Sequence, residues 1–154
     1  MESKEDYVKI LFRYYSDVLE EETVETMWAT IVDQKKGYYK IDNIPFYGPP
    51  VASDDIVFVE YDEDEQMLTY RETIEYSGNS VIQVVLMDDE VEINSVRKTF
   101  EGLGCPSERI GDKYFAIEIP ASLDYKPIKA KLEQLKDLSL IDYAEPCLSG
   151  KHQY

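Results

Sequence analysis

The sequence predicts an α+β protein in which a small five-stranded antiparallel β-barrel-like half precedes a ferredoxin-like βαββαβ half. Three observations support this fold. The first half consists of short segments rich in β-branched and aromatic residues, prolines and turn residues separate these segments, and helical apolar spacing occurs only in the second half. We assign 1–79 to an acidic β-rich domain, 80–148 to an α+β domain and 149–154 to a flexible C-terminal tail.

Five strands are predicted in the first half. Val8, Ile10 and Phe12 alternate with polar residues, as expected of a strand with one buried face. The loop 43–55 contains three prolines, which cannot donate to an interior ladder. Closure into a barrel would remove the open edges of so few strands. The predicted strands are 7–15, 23–33, 38–42, 56–61 and 67–76.

The second half begins after the turn 77–80, which is the predicted domain boundary. Pro127 fits the first turn of one predicted helix, and Val96 and Phe100 lie on the apolar stripe of the other. The order β-α-β-β-α-β is typical of ferredoxin-like folds. The sequence leaves open whether the two halves are separate domains or share one continuous sheet. The predicted elements are strands within 80–87, 107–120 and 138–146, and helices within 88–104 and 122–137.

The net charge of −16 limits the classes of partner. Nucleic acids and anionic membrane surfaces would repel such a chain, because their binding requires clusters of Lys and Arg. A basic protein would be attracted by electrostatic steering. Residues 1–79 carry 19 acids and 7 bases, so most of the excess charge lies in the first half.

No catalytic motif is evident. The one histidine, His152, lies near the C-terminus, where a frayed position is expected, and Cys105 and Cys147 lack the spacing of a zinc site. A calcium loop beginning at Asp62 would place Met67 where glycine is required. We therefore predict a binding protein that is not an enzyme and has no cofactor, metal or small-molecule substrate. The absence of a signal-peptide pattern and of a long apolar stretch predicts a cytoplasmic location.

Short motifs occur along most of the chain, at Glu25, Trp28 and Ala29; Asn43, Pro45, Phe46 and Tyr47; Asp55, Ile56 and Val57; Ser77 to Ser80; and the segment 114–120. In their order and spacing they resemble an uncharacterised bacterial family that is described only as a domain of unknown function. The family usually has glycine where this sequence has Asp54. The resemblance implies no catalytic residues, and some small acidic proteins of this general sort are encoded beside toxins as immunity proteins.

Charge and resemblance together predict an immunity protein that neutralises a basic cognate toxin, with a nuclease as the expected toxin. An acidic surface could occupy the basic cleft that normally binds tRNA, rRNA or DNA. The alternative is a regulatory or small-ligand-binding module without a toxin partner. An enzyme that uses buried carboxylates is a third, weaker possibility.

The predicted partner-binding residues lie in two acidic segments of the first half. They are Glu20, Glu21, Glu22 and Glu25, then Glu60, Tyr61, Asp62, Glu63, Asp64, Glu65 and Tyr70. The run 62–65 could equally be only a hairpin tip, since Asp favours turns. A third acidic segment, 88–92, is better explained as a helix cap. For Trp28 and the loop 45–47, core packing is favoured over partner contact.

Overall fold

A computed structural model describes residues 7–16, 20–46 and 51–153, and this part holds nine strands and two α-helices. The chain divides into two compact units, Met1–Ser77 and Gly78–Tyr154. The coarse prediction of a mostly β protein with two helices and two sheets is confirmed. The strands are β1 (Tyr7–Ser16), β2 (Glu21–Asp33), β3 (Tyr38–Ile41), β4 (Ile56–Asp62), β5 (Met67–Glu75), β6 (Ser80–Leu86), β7 (Ser107–Ile110), β8 (Tyr114–Ile119) and β9 (Ile141–Cys147). The helices are α1 (Ile93–Glu101) and α2 (Tyr125–Asp137), and a 3-10 turn spans Gly150–His152.

In the first unit, β1 to β5 pair with their neighbours in sequence order, and β1 also pairs with β5, so the sheet closes into a barrel. The closing pair, at Leu11 and Thr69, is parallel. The prediction of a wholly antiparallel barrel is therefore wrong at this pair. In a meander each strand reverses the direction of the one before, so the first and fifth strands run the same way.

Alternate residues of the strands fill the interior of this barrel. On β2 the buried residues are Glu25, Met27 and Ala29, so Trp28 points outward and is 48% exposed. The core packing predicted for Trp28 is therefore wrong. Pro45 is buried and Phe46 half-buried, whereas Tyr47 lies outside the described residues. The buried apolar residues are Ile10, Phe12, Met27, Ala29, Tyr39, Ile41, Val51, Val57 and Val59.

Asp54 occupies the turn before β4 with φ of 68°, in the left-handed region. This conformation costs a residue with a Cβ atom about 1–2 kcal/mol. We expect Asp54→Gly to raise the free energy of unfolding by about 0.5–1 kcal/mol, after the extra chain entropy of glycine is subtracted. The ion pair between Asp54 and Lys40, 3.8 Å long and exposed, contributes little.

Urea denaturation followed by circular dichroism measures this change. Asp42→Gly is the matched control, because Asp42 is also exposed but does not have positive φ. The control should lose stability. A loss in Asp54→Gly as well would mean that the aspartate side chain itself stabilises the turn.

The second unit contains a four-stranded antiparallel sheet in the order β7-β8-β6-β9. Its buried cluster includes Phe100 of α1 and Leu132 of α2, so the apolar stripes of both helices face this core. Each helix begins at an acidic N-cap, Glu92 for α1 and Asp124 for α2, whose carboxylate accepts backbone N–H bonds. Neither helix, nor any other in the described ranges, has the length and hydropathy that crossing a membrane requires.

The flexible tail predicted for 149–154 is a wrong expectation for the residues described up to 153. The 3-10 turn at Gly150–His152 carries His152 into the second unit, where its side chain is 1% exposed. Its Nδ1 lies 2.6 Å from Ser80 Oγ, and its Nε2 lies 3.1 Å from the carbonyl oxygens of both Pro120 and Leu123. Because carbonyls only accept, Nε2 carries the proton and Nδ1 accepts from Ser80.

Candidate partner-binding surface

Arg13 joins the two acidic segments that are far apart in the sequence. Its guanidinium forms an ion pair with Glu65, and Glu22 and Asp62 add to the attraction that raises the pKa of Arg13. On the neighbouring strand, Glu22 lies opposite Tyr15 of β1. The fold therefore brings the β2 acids and the β4–β5 hairpin tip to one region of the first unit.

Arg71 of β5 organises the hairpin side of this region. Its Nε lies 3.2 Å from Glu60 Oε1, and its second guanidinium nitrogen lies 3.1 Å from Asp62 Oδ2. These bonds lower the pKa of Asp62, so its carboxylate stays ionised in mildly acidic solution. Arg13 and Arg71 were not among the predicted site residues, although a base at an outward position of a strand beside acidic segments is the signal that could have indicated them.

The acidic residues at the tip of the hairpin differ in whether their side chains stabilise the turn. Asp62 Oδ1 accepts the backbone N–H groups of Asp64 and Glu65, at 2.9 and 3.2 Å, and Gln66 takes a positive φ. The side chains of Glu63 and Asp64 make no hydrogen bond or ion pair within the described ranges, and both are exposed. A turn therefore explains Asp62 but does not explain Glu63 and Asp64.

Two predicted partner-binding residues have structural roles in the barrel. Glu25 is 9% exposed, and its carboxylate accepts the Tyr14 hydroxyl at 3.0 Å and the Phe46 N–H at 2.7 Å. Tyr70 stacks on Phe12 with ring centroids 4.8 Å apart, and its hydroxyl lies 2.8 Å from Thr73 Oγ1. Neither side chain is presented freely to a partner, because packing and hydrogen bonds hold both in place.

The other predicted residues are accessible to differing degrees. Tyr61 is 61% exposed, whereas the Asp62 and Glu65 side chains, held by arginines, are about a quarter exposed. We use the name acidic rim for the remaining charged members of the predicted set. It comprises Glu20, Glu21, Glu22, Glu60, Asp62, Glu63, Asp64 and Glu65. Four of these carboxylates, those of Glu22, Glu60, Asp62 and Glu65, interact with the guanidinium of Arg13 or Arg71.

The residues of the short motifs are linked to one another by hydrogen bonds. The Trp28 N–H donates to Asn43 Oδ1 at 2.7 Å, and the Phe46 N–H donates to Glu25. Asp55 accepts the N–H groups of Ala52 and Ser77 at 3.0 and 2.8 Å. These hydrogen bonds therefore hold loops onto the barrel, which is a structural role.

The second unit contains a cavity of about 500 Å³ lined by residues of α2, β9 and the C-terminal turn. Glu145 accepts the Tyr125 hydroxyl at 2.7 Å and pairs with Lys129 at 3.0 Å, while Lys126 lines the same cavity. Burial raises the pKa of Tyr125, so its hydroxyl stays protonated and donates to Glu145. The volume suits a small molecule.

The remaining candidate groups have structural explanations. Burial raises the pKa of the Cys105 thiol to about 11, which disfavours the reactive thiolate. Glu92, in the third acidic segment, caps α1 by accepting from the N–H groups of Asn94 and Ser95, and these bonds lower its pKa. In the part of the chain that the structure describes, no group of three or more His, Cys, Asp or Glu side chains is placed to hold a metal ion.

Comparisons with known proteins agree with the fold but carry no functional description. A solved structure described as a hypothetical protein from Neisseria gonorrhoeae is similar to this chain, with a TM-score of 0.78 and 25% sequence identity over 92% of this chain and 94% of that one. No curated protein matches. The sequence model of the domain of unknown function DUF4265 matches residues 25–143, and the chain therefore belongs to that family.

Proposed function

We propose that this chain is an immunity protein of bacterial competition, which binds and neutralises a basic toxin domain, a nuclease, by covering its active cleft. The observation that supports this function best is the meeting of two distant acidic segments around Arg13. The acidic rim there has eight carboxylates and two guanidiniums, and the side chains of Glu63 and Asp64 make no hydrogen bond or ion pair within the described ranges. Such a surface attracts a basic protein and accelerates its association.

The cellular location of the protein follows from the proposed inhibition of a nuclease. An inhibitor of a nuclease must act where the nucleic acid is, which places this protein in the cytoplasm of the cell that it protects.

We also infer that the second unit is ferredoxin-like, because its βαββαβ order and its strand order β7-β8-β6-β9 fit that arrangement.

Capture of the partner tests the proposed function. The tagged chain, expressed in its native cells, should retain a basic protein at low salt and release it more readily at high salt. Adding the purified chain should stop cleavage of RNA or DNA by that protein. Capture only of proteins without nuclease or other toxic activity would contradict the proposal.

Charge reversal tests the surface. The double variant Glu63→Lys/Asp64→Lys should associate with the captured protein about tenfold more slowly or worse, and the salt dependence of its association rate should weaken. Glu101→Lys/Asp137→Lys in the second unit is the matched control, since it changes the net charge equally at exposed positions. Equal slowing in both variants would show that only the total charge matters.

The cavity beside Glu145 supports a second candidate function, that of a small-ligand-binding module. Lys126 and Lys129 could bind the carboxylate of a small organic acid whose apolar part contacts Leu148 and Ala130. An increase in the melting temperature with small carboxylic acids, without capture of any basic protein, would favour this function over the first.

A further inference from the structure

On the basis of the function proposed above, we propose that an apolar strip on the outside of the barrel anchors the basic partner, and that the acidic rim mainly steers it. The strip consists of Tyr15, Val24 and Trp28. These side chains form exposed apolar surface that does not contribute to the barrel core. The partner it fits is a basic protein that also presents apolar side chains between its Lys and Arg residues.

The register of β1 and β2 places the strip on one face. Val24 and Trp28 are separated by an even number of positions on β2, so both point away from the interior that Glu25, Met27 and Ala29 fill. Arg13 lies opposite Val24, and Tyr15 opposite Glu22. The strip is thus continuous with the residues at which the two acidic segments meet.

All three side chains of the strip are exposed. Tyr15 is 62% exposed, and Val24 and Trp28 are each 48% exposed. Trp and Tyr are enriched among the few interface residues whose truncation to alanine weakens binding most. Lys9 Nζ already lies 5.0 Å from the centre of the Trp28 ring, so this ring accepts a cationic side chain.

Charge decides between a second copy and another protein as the occupant. Residues 1–79 carry 19 acids and 7 bases, so two copies that met through this strip would bring their acidic rims together. Like charges across an interface oppose association. A basic protein is attracted by the same rim, and its arrival would cover the strip.

Two synthetic peptides of equal charge test the anchor, one alternating Lys with Phe and the other alternating Lys with Gly. Trp28 is the single tryptophan of the sequence, so its fluorescence reports contact at the strip. The Lys–Phe peptide should bind about tenfold more tightly, which corresponds to about 1.4 kcal/mol. It should also shift the emission of Trp28 to the blue.

Variants measured by titration calorimetry complete the test. Trp28→Ala and Tyr15→Ala should each reduce the preference for the Lys–Phe peptide and leave the affinity for the Lys–Gly peptide unchanged. Tyr76→Ala, at a residue that is 69% exposed but outside the strip, should preserve the preference.

The outcomes separate this inference from the proposed function. Equal affinity for the two peptides, or a preference that survives Trp28→Ala, would overturn the anchor and leave steering by the acidic rim intact. Failure of both peptides to bind at low salt would contradict the anchor and the proposed function together. Self-association in analytical ultracentrifugation that Trp28→Ala abolishes would assign the strip to a second copy and overturn the anchor.

Discussion

Replacing Asp55 with alanine is expected to lower the free energy of unfolding of the first unit by about 3–4 kcal/mol. Asp55 is 1% exposed, and its two carboxylate oxygens accept the N–H groups of Ala52 and Ser77. Its own carbonyl accepts the N–H of Ile41 at 2.9 Å. The side chain thus ties the loop before β4 to the end of β5, and its removal leaves donors without partners, one of them on the fully buried Ala52.

Urea denaturation of the wild type, Asp55→Ala and Asp55→Asn measures this effect. Asparagine can accept one N–H with its carbonyl oxygen, but its amide group faces the other donor, so an intermediate loss is expected. Asp54→Asn is the matched control, since it removes the same charge from the adjacent exposed residue and tolerates positive φ. A loss in the control as large as that in Asp55→Ala would show that charge, and not the two hydrogen bonds, is responsible.

The pH dependence provides an independent readout for Asp55. Burial raises the pKa of Asp55 above its ordinary value, so in the window above about pH 4 the folded state binds more protons than the unfolded state does. The stabilisation from this group therefore falls as pH rises through that window. The difference in stability between wild type and Asp55→Ala should shrink over the same range, and a difference that grows would contradict the raised pKa.

The strand β2 shows what the sequence could and could not predict. The β-branched and aromatic residues of 23–33 correctly indicated a strand, because composition is a local property of the sequence. The local sequence does not show which face of β2 points into the barrel. Val24 and Trp28 are more apolar than Glu25, yet Glu25 is inside. Its partners, the Tyr14 hydroxyl and the Phe46 N–H, lie 11 and 21 residues away. No pattern in the strand itself could reveal them.

The exposure of the rim acids could be predicted from the local sequence. The way the fold brings them together could not, because it depends on residues far apart in the chain. Runs of charge indicate a solvated surface, and Glu63 and Asp64 are exposed. The hairpin tip meets the β2 acids at Arg13, which reaches Glu65 across 52 positions of the sequence. The parallel contact of Leu11 with Thr69 joins β1 to β5, and only the closed sheet shows it.

Ending the chain after Leu148 is expected to destabilise the second unit by about 3 kcal/mol or more, because it removes a buried side chain and its hydrogen bonds. His152 donates from Nε2 toward the carbonyls of Pro120 and Leu123 and accepts from Ser80 at Nδ1. The Ser149 N–H in turn donates to Ser80 Oγ at 2.8 Å. Truncation leaves the buried Ser80 hydroxyl without either of these partners.

A histidine near a chain end is most often frayed, so the burial of His152 could not be inferred from its position. Differential scanning calorimetry of the truncated chain and of His152→Ala should show similar decreases in melting temperature, since the other residues act largely by placing this ring. Lys151→Ala, at an exposed neighbour, should leave the melting temperature within about a degree or two of the wild type. If the truncated chain is as stable as the full one, the hydrogen bonds of His152 do not hold β6 and the start of α2 together, and the prediction is contradicted.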